Sequence, residues 1–116
     1  MNTIDLANAV VSTSRAMNAS GINRGTAGNV SCRSIDGHGF LITPTGMAYE
    51  SCIAADMARV GADGAVNKVS RRKPSSEWRF HRDILRARPD AGAIVHAHST
   101  FATALAIARR EIPACH

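Results

Sequence analysis

Pro74-Ser75-Ser76-Glu77-Trp78-Arg79-Phe80-His81 and, a little further on, Ile94-Val95-His96-Ala97-His98 are the stretches around which this chain is organised. The second is an apolar run ending in His-x-His. Residues two apart on a strand point to the same face, so His96 and His98 would present two imidazoles side by side. That is a chelating pair for a transition metal, with zinc the commonest choice for imidazole. The first stretch reads as a proline, two hydroxyls and a carboxylate ahead of an amphipathic helix. A helix start flanked by serines favours an anion, because its free N–H groups and its dipole both attract negative charge. Glu77, on that first turn, lies within reach of a metal held by the histidines. The two stretches together describe a metal, a carboxylate and a phosphate cradle within one substrate length.

Each of these features also has a plainer reading. In a His-x-His strand one ring often packs while the other is solvated, and two ligands do not make a site, since catalytic zinc usually holds three. Glu77 is the first candidate for the third; His81, His38 and His116 are the other histidines. His81 falls one helical turn after Glu77, and packing of its ring against a sheet is preferred to ligation. Gly25-Thr26-Ala27-Gly28-Asn29 feeds a strand, the reverse of the strand-to-helix order of a nucleotide-binding loop. Its glycines let backbone N–H groups approach an anion and Asn29 adds a donor, although a tight turn explains the same residues. Thr43-Pro44-Thr45-Gly46 carries the same ambiguity, and Ser75-Ser76 reads equally as a helix cap. Three donor-rich loops beside a carboxylate and a His-x-His weigh more together than apart.

The remaining composition narrows the class. The 116 residues suit a single domain, residues 1–116, and 45% apolar content with 4% aromatics reads as globular. The net charge of +5 fits an anionic ligand. Apart from Lys68 and Arg71-Arg72-Lys73 the basic residues are scattered, so nucleic acid is not the expected partner, and that run reads as a solvated loop. Three cysteines (Cys32, Cys52 and Cys115) without close spacing read as free thiols of a reducing compartment. Without an apolar leader or membrane-length run, a cytoplasmic location with no membrane partner is expected.

In chain order, the spacing of Ile4, Ala7, Val10, Val11, Ser14 and Met17 predicts a helix stopped by Gly21. Val30–Arg33 and Phe40–Ile42 flank the turn Asp36-Gly37-His38-Gly39 and predict a hairpin. A short helix is expected over Glu50–Ala55, and a second hairpin from Met57–Val60 and Ala65–Val69 around Ala62-Asp63-Gly64. A helix over about Ser76–Arg88, a strand over Ala91–His98, a helix capped by Ser99 or Thr100 and running through Arg109, and a new element from Ile112 complete the prediction.

Gly25-Thr26-Ala27-Gly28-Asn29-Val30-Ser31, Leu41-Ile42-Thr43-Pro44-Thr45-Gly46, Pro74–His81 and Val95-His96-Ala97-His98 stand in the order and spacing of the class II aldolase/adducin family, which the chain resembles over essentially its whole length. The resemblance covers the N-terminal half of the family domain. It implies an α/β fold, a three-layer αβα domain around a mainly antiparallel central sheet with its C-terminal part missing, assembled as a homotetramer. It implies Zn2+ held by His96, His98 and Glu77, with Glu77 also the catalytic carboxylate that moves a proton. Gly28, Asn29, Thr45, Gly46, Ser75 and Ser76 would bind the phosphate end of a small phosphorylated sugar. The implied reaction is cleavage of a phosphorylated ketose of the L-fuculose 1-phosphate kind to dihydroxyacetone phosphate and an aldehyde. In it, zinc would act as a Lewis acid and Glu77 as general acid/base.

Glu77 and its Trp-Arg-Phe-His continuation favour this aldolase branch over the sugar-phosphate epimerases, which tend to carry Asp there; epimerase or dehydratase relatives are the runner-up. A non-catalytic assembly module, as in the adducin branch, is the alternative of another class, and the retained Glu77, His96 and His98 stand against it. The family's third zinc histidine and its catalytic tyrosine would lie beyond His116. The chain is therefore expected to be a truncated portion of an enzyme.

Overall fold

A computed structural model describes residues 1–67 and 70–115. Lys68 of the basic stretch, Val69 at the end of the expected second hairpin, and His116 lie outside the described residues.

The first helix, α1 (Thr3–Ala19), begins with a reciprocal cap in which Asn2 accepts the Asp5 N–H and the Asp5 carboxylate accepts the Asn2 N–H, both at 3.0 Å. It ends before Gly21, whose φ of +82° suits a residue without a Cβ. Ala7, Val10, Val11, Ser14 and Met17 face inward as the spacing predicts, whereas Ile4, the first residue of that series, is 67% exposed in the first turn.

The predicted first hairpin is β1 (Asn29–Arg33) and β2 (Gly39–Ile42), and β3 (Ala58–Gly61) pairs with the far side of β2. The expected partner of β3 is reduced to one bridge, Val60 to Val66, among the described residues. Between β2 and β3 the expected short helix is two 3-10 turns, Tyr49–Ser51 and Ala54–Asp56. The second helix, α2, runs Trp78–Ala87 rather than from Ser76, because the Ser75 carbonyl accepts the Trp78 N–H and Glu77 takes the cap position. The strand after it, β4 (Ala93–His96), returns antiparallel to β1, giving the sheet order β3-β2-β1-β4. It is shorter than predicted because the His98 N–H leaves the ladder for the side chain of Asn23. The last helix, α3 (Thr100–Ile107), stops before Arg109, which sits at φ 54°, and buries none of its residues. Residues 110–115 are irregular, so the element expected from Ile112 is not formed there.

The period-2 alternation of β1 and β2 divides the core between two helical layers. On one face Val30, Cys32 and Leu41 pack with Ala7, Val10, Val11 and Met17 of α1 and with Tyr49, Cys52 and Met57. On the other, Phe40, Ile42, Ala58 and Val60 pack with Leu85 of α2. The architecture is the expected antiparallel sheet between helices. Arg33 at the end of β1 fixes α2 to the sheet, donating to the carbonyls of Leu85 (2.9 Å), Arg88 (3.2 Å) and Ala91 (2.9 Å) around the end of that helix. Cys32, Cys52 and Cys115 are all free thiols. No helix among the described residues is long and apolar enough to cross a membrane.

Candidate metal and substrate site

Antiparallel pairing sets Asn29 opposite His96, so the first residue of β1 and the last of β4 lie side by side at one end of the sheet. Glu77 is brought to the same place by the cap of α2. The ligand atoms of Glu77, His96 and His98 lie within 4.8 Å of one another, the one such group of three among the described residues. The two imidazole centroids are 4.8 Å apart, as the His-x-His spacing predicts. Phe80 meets the His96 ring edge-on at 5.0 Å and holds its plane.

The donor set fits zinc. Two imidazoles and a carboxylate are N and O ligands of the kind found in catalytic zinc sites. In a tetrahedral site with bonds of roughly 2.0–2.2 Å two ligand atoms stand about 3.4 Å apart. The widest pair, now within 4.8 Å, would close by about an ångström around an ion, a side-chain rotation of the kind Glu77 allows. His96 Nδ1 is buried and makes no hydrogen bond, although Glu77 Oε2 is 3.0 Å away. A ring nitrogen facing a carboxylate oxygen without an aligned proton between them is the arrangement a shared cation would relieve.

Beside the three lies a cleft of about 200 Å³ lined by Gly28, Asn29, Thr45, Gly46, Ser75, Ser76, Glu77 and His98. All six residues expected at a phosphate, together with two of the three metal candidates, therefore border one space. Larger hollows beside α1 carry none of these groups. The Thr45 loop is held by its N–H bonding the Lys73 carbonyl (3.1 Å), and the Ser75 N–H bonds the Thr43 carbonyl (2.9 Å), which joins the second and third donor loops. The serines do not cap α2 as the sequence suggests, for the first residue outside that helix is Glu77; instead Ser75 Oγ accepts the Glu77 N–H at 3.4 Å.

Asn29 is 2% exposed, and its amide donates to Glu77 Oε2 at 2.6 Å and to Ser75 Oγ at 3.0 Å. Its side chain thus ties the carboxylate to the serine from behind the cleft. His81, the alternative ligand, is fully buried on the inner face of α2. Its Nδ1 lies 2.7 Å from Ser31 Oγ and its Nε2 contacts Asn29 Oδ1, so both ring nitrogens are engaged. Burial, reinforced by the neighbouring His96 and only partly offset by Glu77, pushes its pKa down to about 4. His38 lies in the β1–β2 turn, away from the three.

Two supports escaped the sequence reading. Asn23, 2% exposed, bonds Asn18 Oδ1 (2.8 Å) and the Ala27 carbonyl (2.5 Å) through its Nδ2, and accepts the His98 N–H (2.8 Å). Tyr49 reaches across the core to donate its hydroxyl to the Gly28 carbonyl at 2.6 Å, and burial pushes its pKa up. An Asn and a Tyr between helices carry no signal in sequence beyond their residue type. Apart from Asn18 Oδ1, their partners are backbone atoms that only the closed fold supplies.

The sequence model of the Class II Aldolase and Adducin N-terminal domain matches residues 8–116. A 5-methylthioribulose-1-phosphate/5-deoxyribulose-1-phosphate aldolase of Rhodospirillum rubrum is 45% identical over 113 residues, 97% of this chain and 49% of that protein. An L-fuculose phosphate aldolase of Escherichia coli K12 is also 45% identical, over 111 residues, 96% of this chain and 50% of that protein. A solved L-fuculose 1-phosphate aldolase superimposes with a TM-score of 0.88 at 32% identity, over 97% of this chain and 52% of that one. The chain spans about half the length of the curated relatives it matches.

Proposed function

The chain belongs to the class II aldolase and adducin family, and from that membership we propose that it is the N-terminal portion of a zinc-dependent aldolase that cleaves a ketose 1-phosphate. The observation that carries the reading is the meeting of Glu77, His96 and His98 beside the cleft bordered by the three donor loops, with Glu77 and His98 in its lining.

His96, His98 and Glu77 would hold the ion, which when bound supplies Lewis acidity toward the ketose carbonyl and its neighbouring hydroxyl. Gly28, Thr45, Gly46, Ser75 and Ser76 line the space that would take the phosphate, and Asn29 supports Ser75 from behind. The non-reacting end of the substrate is thereby fixed and the carbon chain directed at the histidines. The reaction breaks the bond between the carbons α and β to the carbonyl. The β-hydroxyl gives its proton to water as the aldehyde departs, and the electron pair left on the α-carbon takes up a proton to give dihydroxyacetone phosphate. Glu77 Oε, protonated from that water, would deliver it, as general acid in cleavage and general base in synthesis.

Equal identity to a fuculose phosphate aldolase and to a methylthioribulose phosphate aldolase supports the substrate at the level of a ketose 1-phosphate, with the aldehyde half unassigned. A homotetramer and a cytoplasmic location belong to the same proposal.

Zinc content of the purified protein, thermal unfolding before and after chelation, and release of dihydroxyacetone phosphate from both ketose 1-phosphates test it. Bound zinc, a lower melting temperature on chelation and a rise in melting temperature with a ketose 1-phosphate are expected. No zinc and no response to any sugar phosphate would overturn it in favour of an assembly module.

A further inference from the structure

Behind Glu77 runs a line of buried hydrogen bonds that no step of the proposed reaction uses: Ser31, His81, Asn29, then Glu77 and Ser75. Ser31 and His81 are fully buried and Asn29 is 2% exposed, so water does not compete for these groups. An asparagine amide has nearly the same shape in its two orientations, and only its neighbours decide between them. Here the orientation matters. With its NH2 toward Glu77 the amide donates to Oε2; turned over, it would set a carbonyl oxygen against the carboxylate.

The neighbours do not decide equally. Ser75 Oγ can donate or accept and is indifferent. Glu77 Oε2, when ionised, can only accept. That puts Nδ2 toward Glu77 and leaves Oδ1 facing His81 Nε2, which must then carry a hydrogen. Nδ1 in turn is free to accept the hydroxyl hydrogen of Ser31, 2.7 Å away. A protonated ring would also donate from Nε2, so the direction at Asn29 is the same in either charge state.

We propose that His81 is a positioning residue: its Nε2–H locks the Asn29 amide with both donors turned toward the cleft, and so fixes the Glu77 carboxylate relative to Ser75. The lock stands on the hydrogen bonds alone, and its consequence for metal binding rests on the reading of Glu77 as a ligand.

Nitrogen-15 chemical shifts of the His81 ring, measured on the unmodified protein above pH 6, test the lock directly. Hydrogen on Nε2 and a bare Nδ1 are expected; the opposite tautomer overturns the proposal. Slow hydrogen exchange of the Asn29 side-chain amide is expected in the same protein. It should be faster by at least tenfold in His81→Leu and largely restored in His81→Gln, which can again offer an N–H. Zinc affinity, read by competition with a chelator, should fall about tenfold to a hundredfold in His81→Leu, the range for removing a group that orients a ligand. A folded His81→Leu protein with Asn29 still protected and zinc affinity within twofold of the parent overturns the proposal and leaves the metal site standing. If the parent binds no zinc while Asn29 protection still follows His81, the metal reading falls and the lock is upheld.

Discussion

Asn23 Oδ1 accepts the backbone N–H of His98 at 2.8 Å, across 75 residues of chain. The same side chain donates to the Ala27 carbonyl and to Asn18 Oδ1, so one buried amide joins the end of α1, the glycine loop and the histidine strand. Asn23→Ala removes the partner of the part-buried His98 N–H and Ala27 carbonyl. It should lower stability by about 1–2 kcal/mol, the worth of two hydrogen bonds whose backbone ends regain some water. The urea midpoint should fall with its slope unchanged.

Gly28 approaches the same strand from the loop side. Its φ is +71°, and a Cβ there would collide with the His96 carbonyl and come within 2.7 Å of Asn23 Oδ1. Gly46 has a similar φ of +64° but open space around it. Gly46→Ala should cost about 1 kcal/mol, for the left-handed backbone alone. Gly28→Ala adds a clash with backbone that cannot give way and should cost at least about twice as much. Paired denaturation curves check the difference.

Stability should decline on acidification before the carboxylates are touched. The His81 pKa lies at about 4 in the fold against an ordinary 6.5, so between those values the unfolded chain binds a proton that the native protein refuses. Stability is therefore full above pH 6.5 and falls toward pH 4, by at most about 1.4 kcal/mol per pH unit. Asp36, Asp56 and Asp90, each held below 3.8 by hydrogen bonds from backbone or arginine groups, contribute stability that is lost only at lower pH. His81→Gln should flatten the curve between pH 6.5 and 4 and leave the lower limb. Unfolding free energies at a series of pH values show this.

Glu77→Gln separates chemistry from architecture. The new amide keeps an oxygen that can accept the Asn29 N–H, now 2.6 Å from Glu77 Oε2, so the metal-free melting temperature should barely move. Zinc affinity should fall, and release of dihydroxyacetone phosphate should slow by about 10²–10⁴, the usual worth of a positioned acid/base group. A variant that cleaves at the parental rate would remove Glu77 from the proton's path.

Much of this was legible in the residues. The period of α1, the β1–β2 hairpin and the side-by-side rings of His96 and His98 follow from spacing alone. That Gly28, Thr45, Gly46 and Ser75 share one site is what the family resemblance implies; their donor chemistry alone left each loop open to a plain turn or cap. Other features follow from contacts distant in sequence. Nothing near residue 65 says that, among the described residues, the partner of β3 would be one bridge, Val60 to Val66. The early end of β4 is set by Asn23, far upstream. His81 read correctly as a packed ring, but its tie to Asn29 depends on α2 lying over β1, a placement that Arg33 secures from the opposite end of the strand.

The sheet order has a kinetic consequence. The two hairpin contacts, β1 with β2 and β2 with β3, close short loops. The bonds that build the site, by contrast, join residues 46 to 75 apart. Closing such loops carries an entropic penalty that only the finished contacts offset, so β4 and the start of α2 should dock last. A nascent chain would then hold a formed meander before it could hold an ion. Ligand capture would report on completion of the fold, and a zinc-sensitive refolding phase would time that final closure.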